Sequence, residues 1–413
     1  MGFSALGLDQ ALIDAITERG YTEPTPIQKA AIPAILAGQD VMAGAQTGTG
    51  KTAAFALPIL QQLGLSEQSL DAKRSPRALI LTPTRELAQQ VFQSLLNYGQ
   101  GSALTSALVY GGASINTQMA ALAAGVDVLV ATPGRLLDLI NRGAADLSQL
   151  QHLVFDEADR MLDMGFIDEI KRILKTVPAA RQTLLFSATF DQAIFDLSKT
   201  LLRSPQLIEV DARNTAAIQV EQIVYAVDAN RKRELISHLI GAKNWHQVLI
   251  FTRTKQGADK LANAMCLDGL KTESIHGDKS QGARERALES FRQGDTRVLV
   301  ATDVAARGLD IDQLKYVINH ELPFNAEDYI HRIGRTGRAG GSGLAISLLS
   351  TEENYLLEEI EAILNTSLLP QWLAGYEPDL SKEPVNSGKN SRTAQKKRAR
   401  DRALGNKPAR RRR

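Results

Sequence analysis

Short, largely apolar runs recur along the first half of the chain, and each stops abruptly at polar or small residues. Val41–Met42–Ala43 runs into a Gly-rich stretch, and Ala78–Leu79–Ile80–Leu81 into Thr82–Pro83–Thr84–Arg85. Val126 to Ala131 ends at Thr132–Pro133–Gly134–Arg135, and His152 to Phe155 at Asp156–Glu157–Ala158–Asp159. Thr183 to Phe186 ends at Ser187–Ala188–Thr189. Strands buried on both faces lose the usual alternation, so the pattern predicts a parallel sheet covered on both sides. In such sheets ligands bind beyond the carboxyl ends of the strands, which is where the polar stops fall.

The grammar repeats further on. Gln247 to Phe251, Glu273 to Ile275, Arg297 to Ala301, Tyr316 to Asn319 and Leu344 to Ser347 read as a second set of strands. A length of 413 residues fits about two or three domains. The expected division is a first domain over 1–210, a linker over 211–219, a second domain over 220–365 and an extension over 366–413. The segment Val128–Leu129–Val130–Ala131–Thr132 recurs identically as Val298–Leu299–Val300–Ala301–Thr302, which suggests two related domains presenting equivalent Thr-ended strands.

Chemistry enters at Ala45–Gln46–Thr47–Gly48–Thr49–Gly50–Lys51–Thr52. A strand, a Gly-rich turn, Gly-Lys-Thr and then an apolar helical stretch form a phosphate-binding loop. Its backbone N–H groups point inward, and the helix N-terminus favours an anion. Lys51 is placed to reach the β- and γ-phosphates, and the Thr52 hydroxyl to ligate Mg²⁺. Asp156, at the end of an apolar strand, is the expected second Mg²⁺ anchor, and Glu157 the residue that orients or deprotonates the attacking water. Upstream, Pro24 and Pro26 stiffen a segment ending in Gln28, whose amide can read a purine edge. The second half carries His331–Arg332–Ile333–Gly334–Arg335–Thr336–Gly337–Arg338, cations suited to charge on a transferring γ-phosphoryl group.

The net charge of +2 conceals an asymmetry. Residues Ser381 to Arg413 hold thirteen Lys/Arg against two acidic residues, so this tail carries +11 and the rest of the chain the balance of −9. With few large apolar side chains, the tail reads as a disordered segment with nucleic-acid affinity, or as a solubilising or targeting tail. The single cysteine, Cys266, excludes an internal disulfide and a cysteine metal site, and fits a reducing, cytoplasmic setting. No apolar run approaches the length of a membrane span, so no membrane partner is expected.

Together these motifs resemble the DEAD-box RNA helicases, named for the tetrad Asp156–Glu157–Ala158–Asp159. The likeness covers roughly residues 1 to 365, with the motifs in family order; the beginning and the basic tail are most similar to the bacterial RhlE-type branch. The resemblance implies two tandem RecA-like (P-loop NTPase) α/β domains, ATP and Mg²⁺ as cofactors, and RNA as partner. It implies that Gln28 reads adenine, with Phe3 as the upstream aromatic and Tyr21 nearby, and that Ala45 is ordinary in the loop. Asp310 is expected at the ribose, and Arg335 and Arg338 at the γ-phosphate. Arg85, Gly112, Thr132, Gly134 and Arg135 match RNA-backbone positions of the first domain, and Arg253, Thr302 and Asp303 those of the second. Ser187 and Thr189 match the motif that couples hydrolysis to strand separation. ATP and single-stranded RNA would close an interdomain cleft together. Ribosome-assembly or RNA-decay proteins are the partners such a role suggests. Two other readings stay open: a DNA helicase or translocase, and a non-unwinding RNA clamp or annealing factor driven by the tail.

Overall fold

The computed structural model describes residues 2–44, 49–65, 74–190, 192–209, 220–306, 314–337 and 343–379. These form two compact units, one before residue 210 and one from residue 220 onward. The strands of the first are β1 (Val41–Gly44), β2 (Ala78–Leu81), β3 (Ser106–Val109), β4 (Val128–Ala131), β5 (His152–Asp156), β6 (Gln182–Ser187) and β7 (Gln206–Glu209). Those of the second are β8 (Val220–Ala226), β9 (Val248–Thr252), β10 (Thr272–Ile275), β11 (Val298–Thr302), β12 (Tyr316–Asn319), β13 (Gly343–Leu349) and β14 (Pro370–Gln371).

Among the described residues each unit builds one parallel sheet, in the orders β3-β4-β2-β5-β6-β1-β7 and β10-β11-β9-β12-β13-β8-β14. The two orders match place for place. The recurring Val-Leu-Val-Ala-Thr segment lies on β4 and β11, both second in their sheets.

The apolar runs are continuous because each strand feeds two cores. Val41, Ala43, Ile80, Val130, Val154 and Phe186 join one hydrophobic cluster of the first unit. Their neighbours Met42, Leu79, Leu81, Leu129, Leu153, Phe155 and Leu185 join the other. Each fully buried Val, Leu, Ile or Phe contributes about 1.5–3 kcal/mol, so neither face tolerates a polar substitution. The turns that follow β2 and β9 also match. Thr84 accepts a hydrogen bond from the Leu87 amide at 3.3 Å to cap the helix Arg85–Tyr98. Thr254 accepts one from Gly257 at 3.0 Å to cap the helix Lys255–Leu267. Such caps stabilise a helix by about 1 kcal/mol.

At the amino ends of β5 and β6, His152 shares a 3.0 Å hydrogen bond with the Gln182 amide oxygen. The Gln182 amide donates in turn to Ile35 O at 2.9 Å and Gln39 O at 2.7 Å. Burial pushes the His152 pKa down to about 4, so the ring is neutral at physiological pH. This network fixes the far end of the helix Pro26–Leu36, whose first turn carries Gln28.

The chain from 366 to 379 packs on the second unit. β14 pairs with β8, Leu368 is buried in the core, and the Arg231 guanidinium lies 4.9 Å over the Tyr376 ring while donating to Gly375 O at 2.8 Å. The linker expected over 211–219 and residues 380–413 of the basic tail lie outside the described residues. Among the described residues no helix is long and apolar enough to cross a membrane.

Candidate nucleotide site and cation faces

The strand order sorts the predicted site residues of the first unit into two groups along one sheet edge. β5, β6 and β1 are adjacent and end in Asp156, Ser187 and Gly44, beside the phosphate loop; β3, β4 and β2 are adjacent and lead to Gly112, Thr132 and Arg85.

In the nucleotide group, Lys51 opens the helix Lys51–Leu65 and is 6% exposed, yet among the described residues its Nζ has no hydrogen-bond partner. Asp156 is 2% exposed and its Oδ1 is likewise unpartnered. Burial pushes the Asp156 carboxyl up to about 6, against the pull of Lys51. Unsatisfied buried charges are costly, so this pair fits a ligand carrying both an anion and a cation. A magnesium-bound triphosphate would meet that description: Lys51 and Thr52 would hold the phosphates, and Thr52 and Asp156 the metal.

Glu157 sits in the left-handed region at φ 58° and ψ 54°, a conformation that costs a non-glycine residue about 1–2 kcal/mol. It turns the chain sharply off β5 and buries its carboxylate, which accepts a hydrogen bond from Arg160 Nη1. Asp159 accepts from the Ala188 amide at 3.2 Å, tying the acidic tetrad to the Ser187–Ala188–Thr189 segment. Within that segment Ser187 is fully buried and its Oγ accepts from the Thr189 amide at 3.4 Å.

Gln28 is fully buried and spans two segments: its oxygen accepts from the Thr25 amide at 2.9 Å, and its Nε2 donates to Gly50 O at 3.1 Å. Gly50 allows this approach. At φ +91° a Cβ there would lie 2.4 Å from the Gln28 Nε2. Phe3 is buried in the core with Leu6 and Leu8, whereas Tyr21 is 39% exposed and meets the Tyr98 ring edge-on.

The second group is built around the turn Tyr110–Ser114. Arg85 lies so close over Gly112 that a Cβ there would come within 2.2 Å of its Nη1, and Gly112 has φ +87°. Arg135 donates to Ala113 O at 3.1 Å, and Gln118 closes the turn with bonds to Tyr110 N and O at 3.2 and 3.1 Å. Two guanidinium groups and exposed glycine backbone thus converge, with Thr132 buried and Gly134 exposed beside them. This is a surface suited to sugar and phosphate rather than base edges.

In the second unit, Arg332 is the organising cation. Its side chain is 1% exposed, donating to Asp303 at 2.5 and 2.7 Å, to Asn319 Oδ1 at 3.1 Å and to Glu321 O at 2.7 Å. Its guanidinium also lies 5.1 Å over the Phe251 ring. Arg335 lines a small pocket with Phe251, Asp303, Ala306, His331 and Arg332. Arg253 donates through Nε to Leu322 O at 2.6 Å, pairs with Glu353 and lies 4.5 Å over the Phe324 ring.

A family model described as DEAD/DEAH box helicase matches residues 25–197, and one described as helicase conserved C-terminal domain matches residues 231–340. ATP-dependent RNA helicase CshA of Listeria monocytogenes is 42% identical over 368 residues, 89% of this chain and 70% of that protein. The chain belongs to the DEAD/DEAH box helicase family. ATP-dependent RNA helicase DeaD of Buchnera aphidicola is 40% identical over 89% of this chain and 60% of that protein, so the chain spans less than two thirds of this relative. S. cerevisiae Dbp5, solved bound to RNA and ADP BeF3, is 30% identical, with a TM-score of 0.80 over 98% of this chain and 99% of that one.

Within this DEAD-box frame, Lys51, Asp156, Glu157, Ser187 and Thr189 gather at adjacent strand ends, as do Arg85, Gly112, Thr132, Gly134 and Arg135. Thr302 ends β11, in the place that Thr132 takes after β4. Several predicted contacts are engaged inside the protein, among them Phe3 in the core, Gln28 between Thr25 and Gly50, Glu157 on Arg160, Asp303 on Arg332 and Arg253 on Glu353. Ala45, Gln46, Thr47, Gly48, Asp310 and Arg338 lie outside the described residues. Within the His331–Arg338 run, sequence reasoning gave roles to Arg335 and Arg338 but none to Arg332, and it did not single out Arg160 or Glu353. Only their three-dimensional pairing marks them, since a charged residue on a helix ordinarily reads as a solvated one.

Proposed function

We propose that the chain is an RNA-dependent ATPase that locally separates short RNA duplexes and remodels RNA or ribonucleoprotein. The observation that carries this reading is the buried, unpartnered pair Lys51 Nζ and Asp156 Oδ1 beside Glu157, on the same sheet edge as the Arg85–Gly112–Arg135 surface. A bound magnesium nucleotide supplies the phosphoryl group that is transferred to water. Glu157 takes the proton of the attacking water, and Arg335 and Arg338 offset the charge that develops on the γ-phosphoryl oxygens. The Asp159–Ala188 hydrogen bond gives the acidic tetrad a mechanical link to Ser187 and Thr189. Thr132 and Thr302, at matching strand ends, would contact successive parts of one strand.

The test compares ATP turnover with single-stranded RNA and DNA of one sequence, together with displacement of a short RNA duplex. The expected result is stimulation by RNA and little by DNA, with displacement only when ATP is present. Equal stimulation by DNA would establish the translocase reading, and ATP-independent strand exchange the clamp or annealing reading.

Membership of the RhlE-type branch, a cytoplasmic setting in a bacterium and service to ribosome assembly or RNA decay complete the proposal. The Phe3–Gln28 beginning and the basic tail support the branch, and the single cysteine supports the reducing, cytoplasmic setting. The tail acts as an accessory tether. Removing Ser381 to Arg413 should weaken RNA binding most at low salt. It should also make the plot of log affinity against log salt shallower, by about 0.7 for each RNA phosphate that the tail neutralises. An unchanged affinity and slope would instead assign the tail to a protein partner.

A further inference from the structure

Each unit has a buried lysine at the same place in its fold. Lys51 opens the helix that follows β1, and Lys232 opens the helix Lys232–Ala242 that follows β8. β1 and β8 are both sixth in their sheets, next to β6 and β13. The two side chains are equally inaccessible, at 6% and 3% exposure. Their surroundings differ. The Lys51 ammonium has no hydrogen-bond partner among the described residues. The Lys232 ammonium donates to Leu348 O at 2.8 Å and His320 O at 3.1 Å, and pairs with the Glu353 carboxylate. Leu348 lies on β13 and His320 follows β12, the counterparts of β6 and of β5, whose last residue is Asp156.

Glu353 therefore invites comparison with a ligand. It is 6% exposed and comes from the short turn Thr351–Glu353 that follows β13. Its two oxygens receive Lys232, Arg253, the Ser350 hydroxyl at 2.9 Å and the Ser350 amide at 3.3 Å. An ammonium, a guanidinium, a hydroxyl and a backbone N–H are the donor set of an oxyanion cradle. Burial pushes the Glu353 carboxyl up, but Lys232 and Arg253 hold it below the usual carboxylate range, so it is the charged form that sits among these donors.

We infer that the second unit keeps the anion site of the first in closed form: the Glu353 carboxylate is the resident oxyanion on Lys232, and a chain lacking it takes up a free small oxyanion in its place. The closed site accounts for a buried lysine at a helix start that has no Gly-rich loop before it, since Val227 to Arg231 contains no glycine. It also explains why the Arg253 guanidinium turns inward, because one carboxylate serves both cations. The inference stands apart from the ATPase reading, because its readout is stability rather than turnover.

The experiment uses the full chain in a Lys51→Ala background, which removes the anion response of the first unit. Thermal unfolding is followed in chloride, acetate and phosphate at matched ionic strength; acetate is the fragment that Glu353→Ala removes. In chloride, Glu353→Ala should lower the midpoint of the affected transition by about 10 °C, as expected for breaking a buried ion pair. Acetate or phosphate at about 100 mM should restore at least about 5 °C of it, through preferential binding to the folded state. The Lys51→Ala chain itself, and the same chain with Lys232→Met added to Glu353→Ala, should gain nothing beyond chloride. Equal midpoints in the three salts would overturn the inference, and so would equal recovery without Lys232. If the Glu353→Ala chain does not hold its fold, the yield on refolding with and without acetate gives the same answer. An anion-independent yield overturns the inference.

Discussion

Glu157→Gln should hydrolyse ATP at least about 10²-fold more slowly than the unaltered chain while still binding it, and should accumulate as a long-lived complex with ATP and RNA. General-base catalysis typically contributes 10²–10⁴-fold, and an amide of the same shape cannot accept the proton of the attacking water. The structure keeps the substitution local. Glu157 is buried in a left-handed turn, its carboxylate held by Arg160, and glutamine preserves both the length and one acceptor for that bond. Lys51→Ala should give the contrasting result, because an ammonium that meets ground-state phosphates would affect affinity before rate. Single-turnover hydrolysis and equilibrium nucleotide binding, measured on both variants, separate the two effects. Normal single-turnover hydrolysis by Glu157→Gln would remove Glu157 from the role of base.

How far the sequence disclosed this arrangement depended on burial. β5 was legible because His152, Leu153, Val154 and Phe155 are all buried, the last three feeding opposite cores in alternation, which leaves an unbroken apolar run. β3, at a sheet end, alternates buried and half-buried residues over Ser106–Val109, and β7 buries only Ile208. Neither makes a run long enough to stand out. β8 carries Glu221 and Gln222 between apolar residues, and β14 is two residues long. The candidate site divides the same way. Lys51, Asp156 and Glu157 were legible because the chemistry fixes residue type and order along the chain. The partners that hold the site were not. Arg160 lies three residues from the Glu157 it binds, but Arg332 reaches Asp303 across 29 residues and Lys232 reaches Glu353 across 121. No spacing rule announces such pairs. The left-handed turn at Glu157 was equally hidden, since only glycine or asparagine advertises that conformation in a sequence.

Arg335→Ala should lower RNA-stimulated turnover by about 10³-fold or more while leaving the KM for ATP within a few-fold, since an arginine that meets developing charge on the γ-phosphoryl group acts mainly in the transition state. The second unit is built to hold this residue in place. Arg332, three residues earlier, joins the ends of β9, β11 and β12 through Phe251, Asp303 and Asn319. It thereby anchors the helix Ala326–Ile333, from whose end the Arg335 segment departs. Asp303→Asn should therefore reduce turnover as well, by loosening Arg332, and should also lower thermal stability, because a buried guanidinium loses its carboxylate. Arg335→Ala leaves that pair intact, but Arg335 is itself only 3% exposed, so both variants should melt earlier and turnover is compared well below either midpoint. There, Arg335→Ala should cost far more turnover than Asp303→Asn, which separates a residue that acts on the nucleotide from one that positions it. Arg335→Lys tests the geometry: an ammonium keeps the charge but not the planar fork, and recovery should be small. Undiminished RNA-stimulated turnover in Arg335→Ala would show that the second unit supplies no cation to the reaction through this residue.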